Sequence, residues 1–235
     1  MKRLLSTLRW DIQIQFRNGF YYVSGVVAFL AIIFLHQLDN ANWGLWLPPL
    51  ILENLVINSF FFMAGLVLLE KGEGTLEAQV VTPLRTGEYL ASKTISLGLL
   101  ALFETLLIVV LLTGIRFNWI WMALGVLALI AFYSLYGFVV VSRYDSINEF
   151  ILPSVLWTLT FSLPLLSYFD IYRGWLMYLH PLQPMLKLLE AAFTPLPAWQ
   201  LGYGCLASSF WIGLVYYLSR RAFYRFVIRK EGTRK

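Results

Sequence analysis

The sequence predicts an all-α integral membrane protein with six transmembrane helices. Three observations point there. Of the 235 residues, 59% are hydrophobic and only 13% charged, against about 25% charged in an average soluble domain. The mean hydropathy is +0.70. Six apolar runs, at 20–38, 48–69, 94–114, 119–141, 150–168 and 201–218, each approach the ~20 residues that cross a bilayer. Together they leave no room for a soluble catalytic domain, so residues 1–235 read as one transmembrane domain.

The charges orient it. With both termini cytoplasmic, the inner segments hold all of the 18 basic residues except Arg116, Arg173 and Lys187. That asymmetry is the positive-inside pattern. It also accounts for the net charge of +5 as contact with anionic lipid rather than nucleic acid, for which no recognition motif is present.

Residues 1–19 come first. They are long, contain Asp11 and precede no cleavage site, so they do not read as a removable signal. At 100° per residue Leu4, Leu5, Leu8, Ile12, Ile14 and Phe16 share one arc, and Lys2, Ser6, Arg9, Gln13 and Arg17 another. This predicts an amphipathic helix lying on the cytoplasmic leaflet, ahead of the first span.

Between the second and third spans, residues 70–93 interrupt the apolar sequence, and the stretch from Leu68 to Lys93 concentrates seven charged residues. Gly72 and Gly74 are expected to end the second span, Thr75 to cap a short new helix with Glu77 in its first turn, and Pro83 to stop it. Thr86 is a second expected cap, with Glu88 near the start of a helix running through Lys93 into the third span. Leu76, Val80 and Val81 would form an apolar ridge on this elbow. By its local physics the elbow is either a knob for a soluble partner or a solvated connector.

Residues 169–199, on the outer side, are too apolar for a free loop. Pro184 suits the first turn of a short helix, lined on one side by Met185, Leu188, Leu189 and Ala192, before Pro195. His180, with no second ligand at metal spacing, reads as a turn or interface residue. The tail, 219–235, is basic, with Arg221, Arg225 and Arg229 recurring every four residues.

Several chemistries are excluded. There is no GxxxxGK[ST] phosphate loop, HExxH helix or G-x-S-x-G elbow, so nucleotide hydrolysis by a P-loop, zinc proteolysis and serine hydrolysis have no motif. Cys205 is the one cysteine and supports neither an internal disulfide nor a CxxC metal site. No catalytic and no metal-binding residues are assigned. By its motifs the chain does not read as an enzyme, and energy for any transport would come from a partner or an ion gradient. Polar groups inside spans are the pathway candidates: Glu53, Asn54 and Asn58 in the second span and Glu104 near the middle of the third. Such residues either line a path or hydrogen-bond between helices.

The elbow carries a resemblance. Glu70, Gly74-Thr75-Leu76-Glu77, Thr82-Pro83-Leu84, Glu88 and Lys93 are similar to the cytoplasmic loop of the type-2 permeases of ATP-binding cassette (ABC) transporters. Gln79 stands where that family usually has an apolar residue. The amphipathic lead-in helix, the six spans and the helical segment before the last span agree with it. The elbow and Leu179 to Pro184 most resemble small drug-export permeases of the fluoroquinolone type. The resemblance implies a plasma-membrane protein, of bacterial kind, in which the elbow seats on a separate ATPase subunit that binds ATP and Mg, with no cofactor in this chain. Leu76, Glu77 and Val80 would be its contacts, and Glu70, Glu88 and Lys93 would hold its shape. Residues 142–149 would make a lesser contact. A second copy or sister permease would complete the path, and the substrate would be an amphipathic small molecule, as in drug efflux. Lipid-linked, peptide or haem-like cargo is the alternative within the class. Outside it stand an ion-coupled transporter using Glu104 and Glu53, and a noncatalytic assembly factor.

Overall fold

A computed structural model describes residues 2–37, 42–76, 85–172 and 174–228. Its regular elements are all helical: α1 (Lys2–Arg17), α2 (Phe20–His36), α3 (Trp43–Leu55), a π-helical turn (Val56–Phe61), α4 (Phe62–Gly72), α5 (Thr86–Thr113), α6 (Trp119–Val141), α7 (Ile147–Phe161), α8 (Pro164–Tyr168), a 3-10 turn (Trp175–Leu179), α9 (Gln183–Glu190) and α10 (Ala198–Ala222), which ends in a second π turn (Phe223–Ile228). Among the described residues five helical stretches are long and apolar enough to cross a membrane, and a sixth is formed if α1 and α2, bent by 63° at Gly19, are taken together. Gly19 has φ +82°, a conformation glycine adopts without steric cost. The bend lays α1 aside from α2, as its two-sided pattern requires.

Ends of spans follow their caps. α6 covers 119–141 as predicted, and the Asn118 side chain accepts from the amides of Ile120 and Trp121 at 3.1 and 3.4 Å. The second span starts at Trp43 rather than 48, despite Pro48 and Pro49 within the helix. Each proline removes the bond to the carbonyl four residues earlier, freeing those of Gly44 and Leu45. The Tyr168 hydroxyl lies 3.2 and 2.9 Å from these same two carbonyls and donates to them. The third span begins at Thr86 because Arg85, not Thr86, is the cap: its amide donates to the Glu88 carboxylate at 2.9 Å, half of a capping box.

The core lies where α5, α6 and the second span meet, with Phe60, Met63, Leu90, Leu97, Tyr133 and Phe138 buried. Packing without a hydrophobic drive between helices favours small residues at contacts. A Cβ on Gly137 of α6 would fall 2.8 Å from the Phe60 carbonyl oxygen, so α6 approaches the π turn backbone to backbone. α9 forms as expected behind Pro184, with Met185, Leu188, Leu189 and Ala192 all buried. It packs against Gly125 of α6 and Gly204 of α10, where a Cβ would meet Leu189 and Leu188 at 2.8 Å. α7 is held by aromatic contacts: Phe161 on Phe60, ring centroids 5.1 Å apart, and Trp157 on Tyr136 at 5.4 Å.

Candidate functional site

Two polar constellations stand out from the apolar bundle. The first surrounds the root of the charged connector. α4 ends at Gly72; the Glu73 amide returns to the Leu69 carbonyl and that of Gly74 to Lys71, 2.9 and 3.2 Å. Gly74 turns the chain at φ +68°, a left-handed C-terminal position that glycine occupies readily. Gly72 is still helical. Thr75 is itself in the first turn that follows, and its hydroxyl donates to the Glu70 carbonyl at 3.2 Å.

One helical turn above, Lys93 of α5 projects between α4 and α1. Its ammonium is 2.5 Å from Glu70 and 3.1 Å from Asp11, and all three residues are fully buried. The Tyr89 hydroxyl donates to Glu70 at 2.8 Å, the Ser92 hydroxyl to Asp11 at 2.5 Å, and the Lys93 ammonium sits 4.7 Å from the Tyr89 ring centroid. Gln15, one turn beyond Asp11, donates to Ser96 at 2.7 Å. Charges removed from water are tolerated only when paired and hydrogen-bonded in this way. The cluster thus joins three elements: the lead-in helix, the end of the second span and the start of the third.

A second tether lies on the other side of the root. Lys71 donates to the carbonyls of Ser142 and Tyr144, 3.0 and 2.6 Å, and its ammonium is 3.6 Å from Asp145. This binds α4 to the turn at 142–146; the expected 142–149 loop is shorter because Ser146 caps α7, which starts at Ile147. Arg17 and Glu73, 4.0 Å apart and largely exposed, add little beside these.

Of the expected coupling residues, Glu70 and Lys93 meet directly. Glu88 is apart from them, capping α5. Leu76 is buried, 2% exposed, so it packs into the bundle instead of standing out as a ridge. Glu77, Val80, Val81, Thr82 and Pro83 lie outside the described residues. Asp11 and Lys71 were not among the expected residues. Asp11 and Gln15 fall within the apolar arc of α1, three and seven positions after Leu8; polar groups on an apolar face were the available signal.

The second constellation is inside the membrane. Glu104 of α5, 3% exposed, accepts a hydrogen bond from the Ser24 hydroxyl of α2 and another, at 3.1 Å, from the Asn54 amide of α3. Asn58 on the π turn donates to the Asn54 side chain at 3.1 Å. These residues form one interhelical network. Glu53 does not join it: adjacent positions on a helix point about 100° apart, and its carboxylate accepts instead from Ser162 at the end of α7, 2.8 Å. Glu53 and Asn54 also line a cavity of about 340 Å³ between α2, α3, the π turn, α5 and α7.

Among the described residues no group of three or more His, Cys, Asp or Glu side chains could hold a metal ion. His180 follows the 3-10 turn, ahead of α9. Its Nδ1 accepts from the Leu182 amide at 3.3 Å, and burial pushes its pKa below the ordinary 6.5.

The family model for the fluoroquinolones export permease protein family matches residues 2–231. Two relatives, both named fluoroquinolones export permease protein, come from Mycobacterium tuberculosis strains CDC 1551 / Oshkosh and H37Rv. Each is 27% identical over 99% of this chain and 100% of its own length.

Proposed function

The chain belongs to the fluoroquinolones export permease protein family, and on that premise we propose that it is the membrane-spanning subunit of an ABC exporter that moves drug-like amphipathic compounds, fluoroquinolones among them, out of the cell. Family and relatives support an export permease. With no phosphate loop in the sequence, this reading assigns ATP and its Mg ion to a separate ATPase subunit. The distribution of basic residues supports a cytoplasmic location for both termini and the 70–93 elbow, and the export role goes with a multi-pass protein of the plasma membrane. A second copy or sister permease faces this one across the path.

The observation that carries the reading is the anchoring of the elbow's two ends. Glu70 and Lys71 open it, Lys93 closes it, and the two lysines are tied to separate parts of the bundle. A partner pressing on residues 77–84 would therefore move α1, both adjoining spans and the 142–146 turn together. A solvated connector has no need of buried charges at its roots. Glu77 and Val80 are the proposed contacts, with Gly74, Thr75, Thr82 and Pro83 shaping the elbow, Leu76 seating it and Glu88 capping the helix behind it.

The test is co-purification from native membranes in mild detergent, comparing the unaltered chain with Glu77→Lys and Val80→Asp. A soluble ATPase recovered with the former and lost from correctly inserted variants is expected. An ATPase absent from all three, or bound equally by all three, would overturn the coupling role.

A further inference from the structure

Resting on the export reading, we infer that the cavity beside Glu53 is a binding site for the protonated amine of an amphipathic aromatic compound, and that Glu53, not Glu104, is the carboxylate that reads it. The two intramembrane acids have different surroundings. Glu104 is enclosed: its oxygens accept from Ser24 and Asn54, and its contacts run between helices. Glu53 is partly exposed on the wall of the 340 Å³ space. One of its oxygens accepts from Ser162; the other, Oε2, has no hydrogen-bond partner among the described residues. Thr105 of α5, which lines the same space, has a buried hydroxyl that also lacks a partner among the described residues.

Size and chemistry agree on the ligand. The volume is within the range of about 300–1,000 Å³ typical of small-molecule pockets. Its surface is mostly apolar, with Leu35, Ile57 and Phe61 contributing, which suits a flat hydrophobic body. Among the described residues its one ionisable lining group is an acid, and no lysine, arginine or histidine lines it. A carboxylate within a membrane is costly without a partner, and an ammonium entering with an apolar compound supplies one as a charge-assisted hydrogen bond. An anionic group would meet no counter-charge. The cavity therefore binds the amine end of a zwitterionic drug and leaves its carboxylate elsewhere.

The probes are a fluorescent piperazinyl fluoroquinolone and its N-acetyl derivative, which keeps the ring system and loses the basic amine. Binding to the purified full-length chain is measured for the unaltered protein, Glu53→Gln, Glu53→Asp and Glu104→Gln, and uptake into everted membrane vesicles in parallel. Glutamine preserves the acceptor for Ser162, and a thermal melt verifies folding. The unaltered chain should bind the free amine at least about tenfold more tightly than the acetylated probe. Glu53→Gln should abolish that preference, Glu53→Asp should retain part of it, and Glu104→Gln should leave it in place. Equal binding of both probes by the unaltered chain, a preference surviving Glu53→Gln, or a cavity filled by co-purified lipid that neither probe displaces would overturn the inference. Uptake without amine preference would sink this site while export stands; amine-selective binding without uptake would do the reverse.

Discussion

The Lys93 ammonium and the Asp11 carboxylate meet 3.1 Å apart across 82 positions of chain, and neither is exposed to solvent. The pair docks the amphipathic lead-in helix against the third span. With Glu70 completing the cluster, it places the root of the elbow under the same constraint.

Lys93→Met should destabilise the purified protein by about 3–5 kcal/mol, since it leaves two buried carboxylates facing each other without a cation. Adding Asp11→Asn should recover part of that loss by removing one of them. Thermal unfolding in detergent measures both. A Lys93→Met variant as stable as the unaltered chain would mean that water reaches the cluster.

Tyr168→Phe should cost about 1 kcal/mol, because it leaves the carbonyls freed by Pro48 and Pro49 without their donor. The same melting assay reads it. Local protection from hydrogen exchange should fall at the start of α3 and remain unchanged in α6.

Glu104→Gln should keep transport and most of the stability, as glutamine still accepts from Asn54. Glu104→Leu should lose about 1 kcal/mol or more, stranding Ser24 and Asn54. Proton coupling through Glu104 requires the opposite: a glutamine variant that folds and does not transport.

His180 sets a pH dependence. Its pKa in the folded protein is depressed by burial from the ordinary 6.5, so the unfolded chain takes up the proton first as pH falls. Its contribution is fully present above about pH 6.5 and is lost progressively below. Melts between pH 7.5 and 5.5 should show this decline, and His180→Asn should flatten it.

The spans were legible in sequence because a bilayer demands continuous apolar runs, and where a local cap exists, as at Asn118, even the boundary was legible. The start at Trp43 was not, because the donor that makes the prolines tolerable is Tyr168, more than a hundred residues away. Glu70 and Lys93 were recognisable from the loop's resemblance to known permeases. Asp11 was visible only as a charge out of place on an apolar arc, since its meaning depends on which helix α1 packs against. Likewise Glu53 and Glu104 look alike as acids within spans; Ser24 and Ser162, contributed by separate helices, give them different surroundings.

The most direct test of the account is fluoroquinolone uptake into everted vesicles with the proton gradient and ATP controlled separately. The account predicts that uptake continues when an ionophore collapses the gradient with ATP present, and ceases when ATP is withdrawn with the gradient intact. Uptake that stops with the ionophore while ATP remains high would contradict it.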